Sequence, residues 1–406
     1  MSAAESTDES TVESIPRLPF DQSGLMELPP RFAELRENDP IVKVLTPVGD
    51  PAWLVTRHED VKKLISDARL GRSHFDPPNA PRYSAAVILG GPRGEYETEV
   101  VDHTKARQVL IPSFSAQRMR SLRPRIQRTV DELLSRFQEL PQPADFHEEI
   151  AKRLPVFVIS ELLGIPFADR EQLGTWSQGT FHTSDQQLAV TAMLEMREYI
   201  AKFIELKRAE PADDVITDLV LKQQETGFPP DDAIQTYVST LIIAGFETSV
   251  SFTDYGTLLF LRNPDQRALL EADPSLAPRA VEEILRFAPA SDACITRYAR
   301  ADFEYKGTRI SEGDLIALSP QTANRDPRVF REPERFDITR NENPHMTLAY
   351  GLHYCIGAPL VRVMLDVLYQ TLFARLPGLR LAVPIDELVS RNNVLTGGLT
   401  SLPVAW

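Results

Sequence analysis

Cysteine is scarce: Cys294 and Cys355 are the only two in 406 residues, too few for a disulfide framework and in keeping with a reducing cytoplasm. So sparse a supply also excludes a ferredoxin-type cluster, and no second Cys or His pair stands near either thiol to complete a structural zinc site. Long apolar runs are missing as well. No stretch reaches the ~18 consecutive apolar residues of a membrane span, the richest being broken at Thr240 and Glu247. Positive charge is in deficit, with 44 Lys and Arg against 58 Asp and Glu and a formal net charge of -14. Neither a nucleic acid nor an anionic membrane is therefore the expected partner. The start, MSAAESTDESTVES, lacks the basic residues and apolar core of an export signal, so residues 1–14 are expected to be a disordered tail on a cytoplasmic protein. A Gly-rich dinucleotide fingerprint is also lacking.

What remains is a globular composition, 42% apolar and 25% charged, long enough to bury a large core. Prolines number 32 and fall mostly between periodic segments, punctuating a mainly helical pattern. Residues 41–45 and 52–56 flank a Pro-Val-Gly-Asp-Pro turn and predict a hairpin, followed by an amphipathic helix over 58–68. Further strand pairs are expected around Lys306-Gly307 and Gly397-Gly398. The longest helix is expected from Asp231, as its N-cap, to Asn263 before Pro264. At 1.5 Å per residue, roughly 30 residues would cross a whole domain, so this helix should be buried. Its centre is apolar almost all round and then sets Gly245, Glu247 and Thr248 together. Close helix packing at Gly245 and a hydrogen-bonded Glu247 explain that pattern as readily as chemistry does. A second helix, framed by Pro278 and Pro289, puts Glu283 and Arg286 on one face at i, i+3.

The stretch richest in chemistry is His345-Met-Thr-Leu-Ala-Tyr-Gly-Leu-His-Tyr-Cys-Ile-Gly-Ala-Pro-Leu-Val-Arg362. A Gly-containing loop leads to Cys355 and then into a helix, where the macrodipole and free N–H groups are expected to hold the sulfur as thiolate. A single thiolate ligand suits a metal whose other donors come from a macrocycle, and Cys is one of the axial ligands of haem iron.

This segment resembles the haem-binding loop of the cytochrome P450 family, Phe-Gly-x-Gly-x-His-x-Cys-x-Gly, with Gly351, His353, Cys355 and Gly357 in register. Leu348 and Ala349 stand where Phe and Gly are usual. Ala244-Gly-Phe-Glu-Thr-Ser249 is similar to the family's oxygen-activating motif, Glu283-x-x-Arg286 to its salt-bridge motif, and Ala323-Asn-Arg-Asp-Pro327 through Phe336 to its meander; His103-x-x-x-Arg107 also fits. The likeness extends over nearly the whole chain after the tail and is nearest to soluble bacterial members.

The resemblance implies a mainly α fold with small β sheets, an α+β helical triangular prism with a β-rich side, as one catalytic domain over 15–406. It implies haem b, iron protoporphyrin IX, with Cys355 as proximal ligand. His103, Arg107, Arg297 and His353 would hold the propionates, with Ala244, Gly351 and Gly357 as further haem-binding positions. Glu283, Arg286 and Arg335 would form a buried charge triad, with Arg340 the rival third member. Thr248 and Glu247 would relay protons. The implied activity is a haem-thiolate monooxygenase that uses dioxygen and two electrons to hydroxylate or couple a small organic substrate in specialised metabolism. Electrons would come from NAD(P)H through a separate ferredoxin and ferredoxin reductase. A peroxide- or nitric-oxide-using enzyme of the same fold, and a haem carrier or sensor, are the alternatives; the Glu247-Thr248 pair favours dioxygen.

Between His103 and Val130 there are seven Lys or Arg and no acid. Arg118, Arg120, Arg123, Arg125 and Arg128 are the candidate ferredoxin dock, unless they pair with acids elsewhere on the chain. The substrate would be bounded by segments 71–96, 175–194 and 290–295, which includes Ser291 and Asp292, and by the turn near Leu395. The protein is expected to be a monomer, and Cys294 is taken as a pocket or core thiol.

Overall fold

A computed structural model describes residues 15–86, 90–180, 185–289, 294–391 and 397–406; the expected tail, 1–14, lies outside them. Helices carry most of the chain. The longest, Asp231–Arg262, has Pro230 as its N-cap, so Asp231 is the first helical residue and not the cap. Asp231 and Asp232 nevertheless sit in the first turn, against the positive end of the helix dipole. Asn263 closes the helix because Pro264 disfavours helical backbone at the residue before it. From residue 241 to 260 every side chain is buried except Ala244 and Thr248, which are exposed, and Gly245, which is half-buried. Those three positions open onto the cavity described below.

The helices Arg153–Leu163, Arg170–Thr180 and Gln186–Ala209 pack on this central helix, as does Ala277–Phe287. Ala116–Gln138 lies along Ala358–Arg375. One apolar core joins them, with Ile242, Phe260, Leu365 and Phe373 at its centre. Burial of such a stripe, rather than helix propensity, supplies most of the stability of each helix.

The β structure is small. One sheet takes its five strands in the order Ile41–Leu45, Pro51–Val55, Leu315–Leu318, Ile295–Ala299 and Leu70–Gly71, all antiparallel except the second pairing. The expected first hairpin is thus an edge of this sheet, and the helix after it runs His58–Ile65. Phe303–Tyr305 and Thr308–Ile310 form the expected two-residue hairpin; Lys306 and Gly307 both have positive φ, 48° and 82°, as a type I′ turn requires. Near Gly397-Gly398 the described residues show an isolated bridge, Ser390 to Leu399, in place of a strand pair. No described helix is long and apolar enough to cross a membrane.

Candidate functional site

The loop before the Ala358–Arg375 helix delivers Cys355. Its backbone N–H donates to the Leu348 carbonyl at 2.8 Å, and Tyr354 N–H donates to Gly351 O at 3.0 Å. Gly351 adopts φ +68°, and a Cβ there would stand 3.2 Å from Ser66, so both the turn and the close approach favour glycine. Gly357 is the N-cap of the following helix, with a proline in its first turn. The half-buried Cys355 thiol faces the N–H groups of Gly357 and Ala358. The expected depression of its pKa is not what the protein alone produces: burial pushes the thiol up and outweighs those two N–H groups. A cation placed against the sulfur would reverse that balance.

Cys355 lines an apolar cavity whose other wall is the central helix. Ala244, Gly245, Thr248 and Phe252 face it from that helix, and Leu348, Leu285, Val158 and Phe114 fill out the walls. Gly245 is not there for close helix packing, since an added Cβ would meet Ile159 only at an ordinary 3.5 Å. Thr248 Oγ1 donates to the Ala244 carbonyl at 2.8 Å. Glu247, one residue away, turns into the protein, is 0% exposed, and lies 2.9 Å from Arg391.

Next to the Cys loop is a rim of basic side chains. The rings of His103 and His353 lie 4.3 Å apart, centre to centre. His103 Nε2 is 3.2 Å from the Leu352 carbonyl, and Arg107 donates to the Tyr354 carbonyl at 2.8 Å. Arg297 is 2% exposed and donates only to its neighbour Thr296 O among the described residues. Burial, together with Arg72 and Arg93, pushes Arg297 down to about 10. Burial and Arg297 take His353 to about 3, and burial and Arg72 take His103 to about 4. Arginines that crowd one another and hold the two imidazoles neutral, with Glu99 as a nearby counter-charge among the described residues, fit a ligand bearing two carboxylates. Among the described residues no group of three His, Cys, Asp or Glu could hold a bare metal ion. A single thiol plus an anion-seeking rim therefore matches a macrocycle with propionates, and these residues fit haem.

Sequence reasoning missed Arg72 and Arg93. Arg72 lies 3.3 Å from His103 Nδ1 and 3.3 Å from Glu99, and burial and Arg72 push Arg93 down to about 10. Both come from irregular segments with no motif spacing to mark them.

Two expectations are corrected. The third member of the charge triad is Arg340, not Arg335. Glu283 takes a bidentate pair from Arg286 at 2.7 and 2.8 Å, and Arg340 Nε stands 3.3 Å from its Oε2. Arg335 is 55% exposed and paired with Glu332, lending only its carbonyl to Arg286. The arginine run on the Ala116–Gln138 helix is largely committed within the chain: Arg118 to Asp213 and Asp218, Arg123 to Asp366, Arg125 to Glu161. Arg120 and Arg128 are exposed and without ion pairs among the described residues. Of the substrate-bounding segments, 87–89, 181–184, 290–293 with Ser291 and Asp292, and Leu395 lie outside the described residues. Cys294 sits 3.6 Å from the Tyr83 hydroxyl.

Fold and site together define a mainly helical protein with one thiol facing a long central helix across an apolar cavity, beside a rim of basic side chains. The family profile described as Cytochrome P450 matches residues 275–377. Over 97% of its length the chain is 38% identical to the whole of pentalenolactone synthase of Streptomyces exfoliatus. It is 36% identical to nocardicin C N-oxygenase of Nocardia uniformis subsp. tsuyamanensis, over 96% of this chain and 98% of that one. The crystal structure of the LnmA hydroxylase of the leinamycin pathway of Streptomyces atroolivaceus S-140 superposes with a TM-score of 0.88 at 36% identity, covering 97% of this chain and 100% of that one. The chain belongs to the cytochrome P450 family. It is a monooxygenase, an oxidoreductase that uses haem and dioxygen.

Proposed function

We propose that Cys355 is the proximal haem ligand of a cytoplasmic enzyme that oxidises a small, largely apolar molecule of secondary metabolism. The observation that carries this reading is the single thiol opening onto a cavity whose opposite wall presents Ala244, Gly245 and Thr248. Haem held by a thiolate supplies activation of dioxygen. This chain's residues do the rest. Arg297, His103, His353 and Arg107 are assigned to the propionates, with Arg72 and Arg93 adding positive field. Phe114, Val158, Leu241 and Phe252 exclude water and favour an apolar substrate. Pentalenolactone, nocardicin and leinamycin, which give the relatives their names, support secondary metabolism as the setting.

Thr248 holds a proton at Oγ1 on the cavity wall, with Glu247 as the acid behind it. NAD(P)H is the proposed electron source, through a ferredoxin and its reductase. The proposed dock is the surface over Cys355, where Tyr350, Leu352 and Tyr354 are exposed and Lys62 stands 4.8 Å over the Tyr350 ring. Arg120 and Arg128 remain as outlying contacts. With surrogate ferredoxin and reductase and a ligand that shifts the Soret band, Thr248→Ala should divert electrons from product to peroxide. Unchanged coupling would contradict the assignment of Thr248.

A further inference from the structure

The central helix carries a second polar stripe that the cavity does not use. Glu247, Ser251 and Asp254 recur at i, i+4 and i+7 and so share one face, and all three are 0% exposed. Apolar side chains would pack there without the desolvation penalty of two carboxyls. Two elements close over this face. His147, from the turn His147–Ala151, puts Nδ1 2.7 Å from Asp254 Oδ2. Arg391, from the C-terminal segment, puts Nη2 2.9 Å from Glu247 Oε2.

Two buried carboxyls thus share one permanent cation. Leaving both ionised would strand an uncompensated charge in a dry interior, which one bound proton removes. Burial raises the Glu247 and Asp254 carboxyls above their usual range, with Arg391 opposing most for the first and His147 for the second. The other groups facing the pair are Asp145, which accepts the His147 backbone N–H at 2.9 Å, and the Tyr369 hydroxyl, which perturbs no charge balance while neutral. Glu148 lies 3.9 Å from His147 Nε2 and is half exposed, bonded to Lys152 at 2.9 Å. The cluster therefore reaches solvent at one end and the acid behind Thr248 at the other. Between those ends the polar atoms are under-used. Neither oxygen of Glu247, nor Asp254 Oδ1, nor any guanidinium nitrogen of Arg391 has an aligned hydrogen-bond partner among the described residues. Buried groups of this kind are ordinarily bridged by water.

We propose that His147, Asp254 and Arg391 form a proton-supply station for Glu247, loaded from solvent beside Glu148 and Lys152, with the resting proton on the Asp254 carboxyl. The station rests on the relay assigned to Glu247 and Thr248. In each cycle Asp254 releases one proton toward Glu247 through bridging water, and the His147–Asp254 pair regains one from solvent. Only N–H and O–H bonds change, and the net result is one proton moved from bulk water to the cavity side. Arg391 stays protonated and fixes the Glu247 carboxylate.

Infrared spectroscopy of the substrate-free ferric holoprotein tests this without turnover. A protonated buried carboxyl should give a C=O band at neutral pH that vanishes in Asp254→Asn and shifts within seconds of transfer to deuterated water. Absence of the band, its persistence in Asp254→Asn, or exchange only on the timescale of global opening would overturn the station. A second arm uses surrogate ferredoxin and reductase with dioxygen. His147→Gln and Asp254→Asn, matched to wild type in haem content, should oxidise NAD(P)H about tenfold more slowly at neutral pH with a larger solvent isotope effect. Wild-type rates in both variants alongside electrons diverted to peroxide in Thr248→Ala would remove the station and leave the relay. Unchanged coupling in Thr248→Ala would remove the relay and the station with it.

Discussion

The backbone N–H of Cys355 is tied to the carbonyl of Leu348 at 2.8 Å, and the residue directly after Leu348 adopts a left-handed conformation. That residue is Ala349, with φ +60°. The loop returns to the leucine carbonyl through this turn, so the thiol is placed with a left-handed alanine in its path.

Replacing Ala349 with glycine should therefore stabilise the protein by about 1 kcal/mol, because glycine reaches positive φ without the Cβ clash. The gain is partly offset by the greater freedom of glycine in the unfolded chain. Thermal unfolding should show a higher midpoint for Ala349→Gly and a lower one for Ala349→Val. An unchanged or lower midpoint for the glycine variant would mean the turn is not strained.

The Glu283 triad predicts a graded series. Glu283→Ala leaves Arg286, which is 1% exposed, without its carboxylate, and should cost about 3–5 kcal/mol. Arg340→Ala removes one outer contact of that carboxylate and should fall between. Arg335→Ala, altering an exposed side chain, should stay within about 0.5 kcal/mol. Denaturant unfolding ranks the three, and an Arg335 effect larger than that of Arg340 would restore the original assignment.

Glu99 gives a pH dependence with a definite sign. Burial pulls its carboxyl upward, but the Ser73 hydroxyl, the N–H groups of Arg72 and Ser73 and the Arg72 guanidinium prevail and lower it from 4.5 to about 2. Between those values the unfolded chain binds the proton and the folded chain does not. Its contribution is thus complete above about pH 4.5 and is lost as pH falls toward 2. Glu99→Gln should lower stability at neutral pH by about 3 kcal/mol and flatten the stability profile across that window. Equal slopes in wild type and variant would show that Glu99 does not carry the acid sensitivity.

The parts of the fold and site legible in the sequence are those written locally. The Cys355 loop is contiguous, the Glu283–Arg286 pair is fixed by one helical turn, and the Lys306-Gly307 turn is set by two residues. What escaped depends on the folded interior. Arg335 and Arg340 both lie in irregular chain, where no periodicity says which side chain turns inward. The acids that neutralise Arg118 and Arg123, at 213, 218 and 366, are distant in sequence. The state of the Cys355 thiol is a contest between burial and two N–H groups, and the sequence names only the second. Arg72, Arg93, His147, Asp254 and Arg391 belong to no shared motif and meet only through the packing of helices and sheet.

The most direct test of the central assignment is the absorption spectrum of the reduced holoprotein under carbon monoxide, for wild type and for Cys355→His. The wild type should show the long-wavelength Soret band of thiolate-ligated haem, and the variant should move to the shorter wavelength of imidazole ligation. A wild-type spectrum already of the imidazole kind, or one unchanged by Cys355→His, would contradict ligation through Cys355.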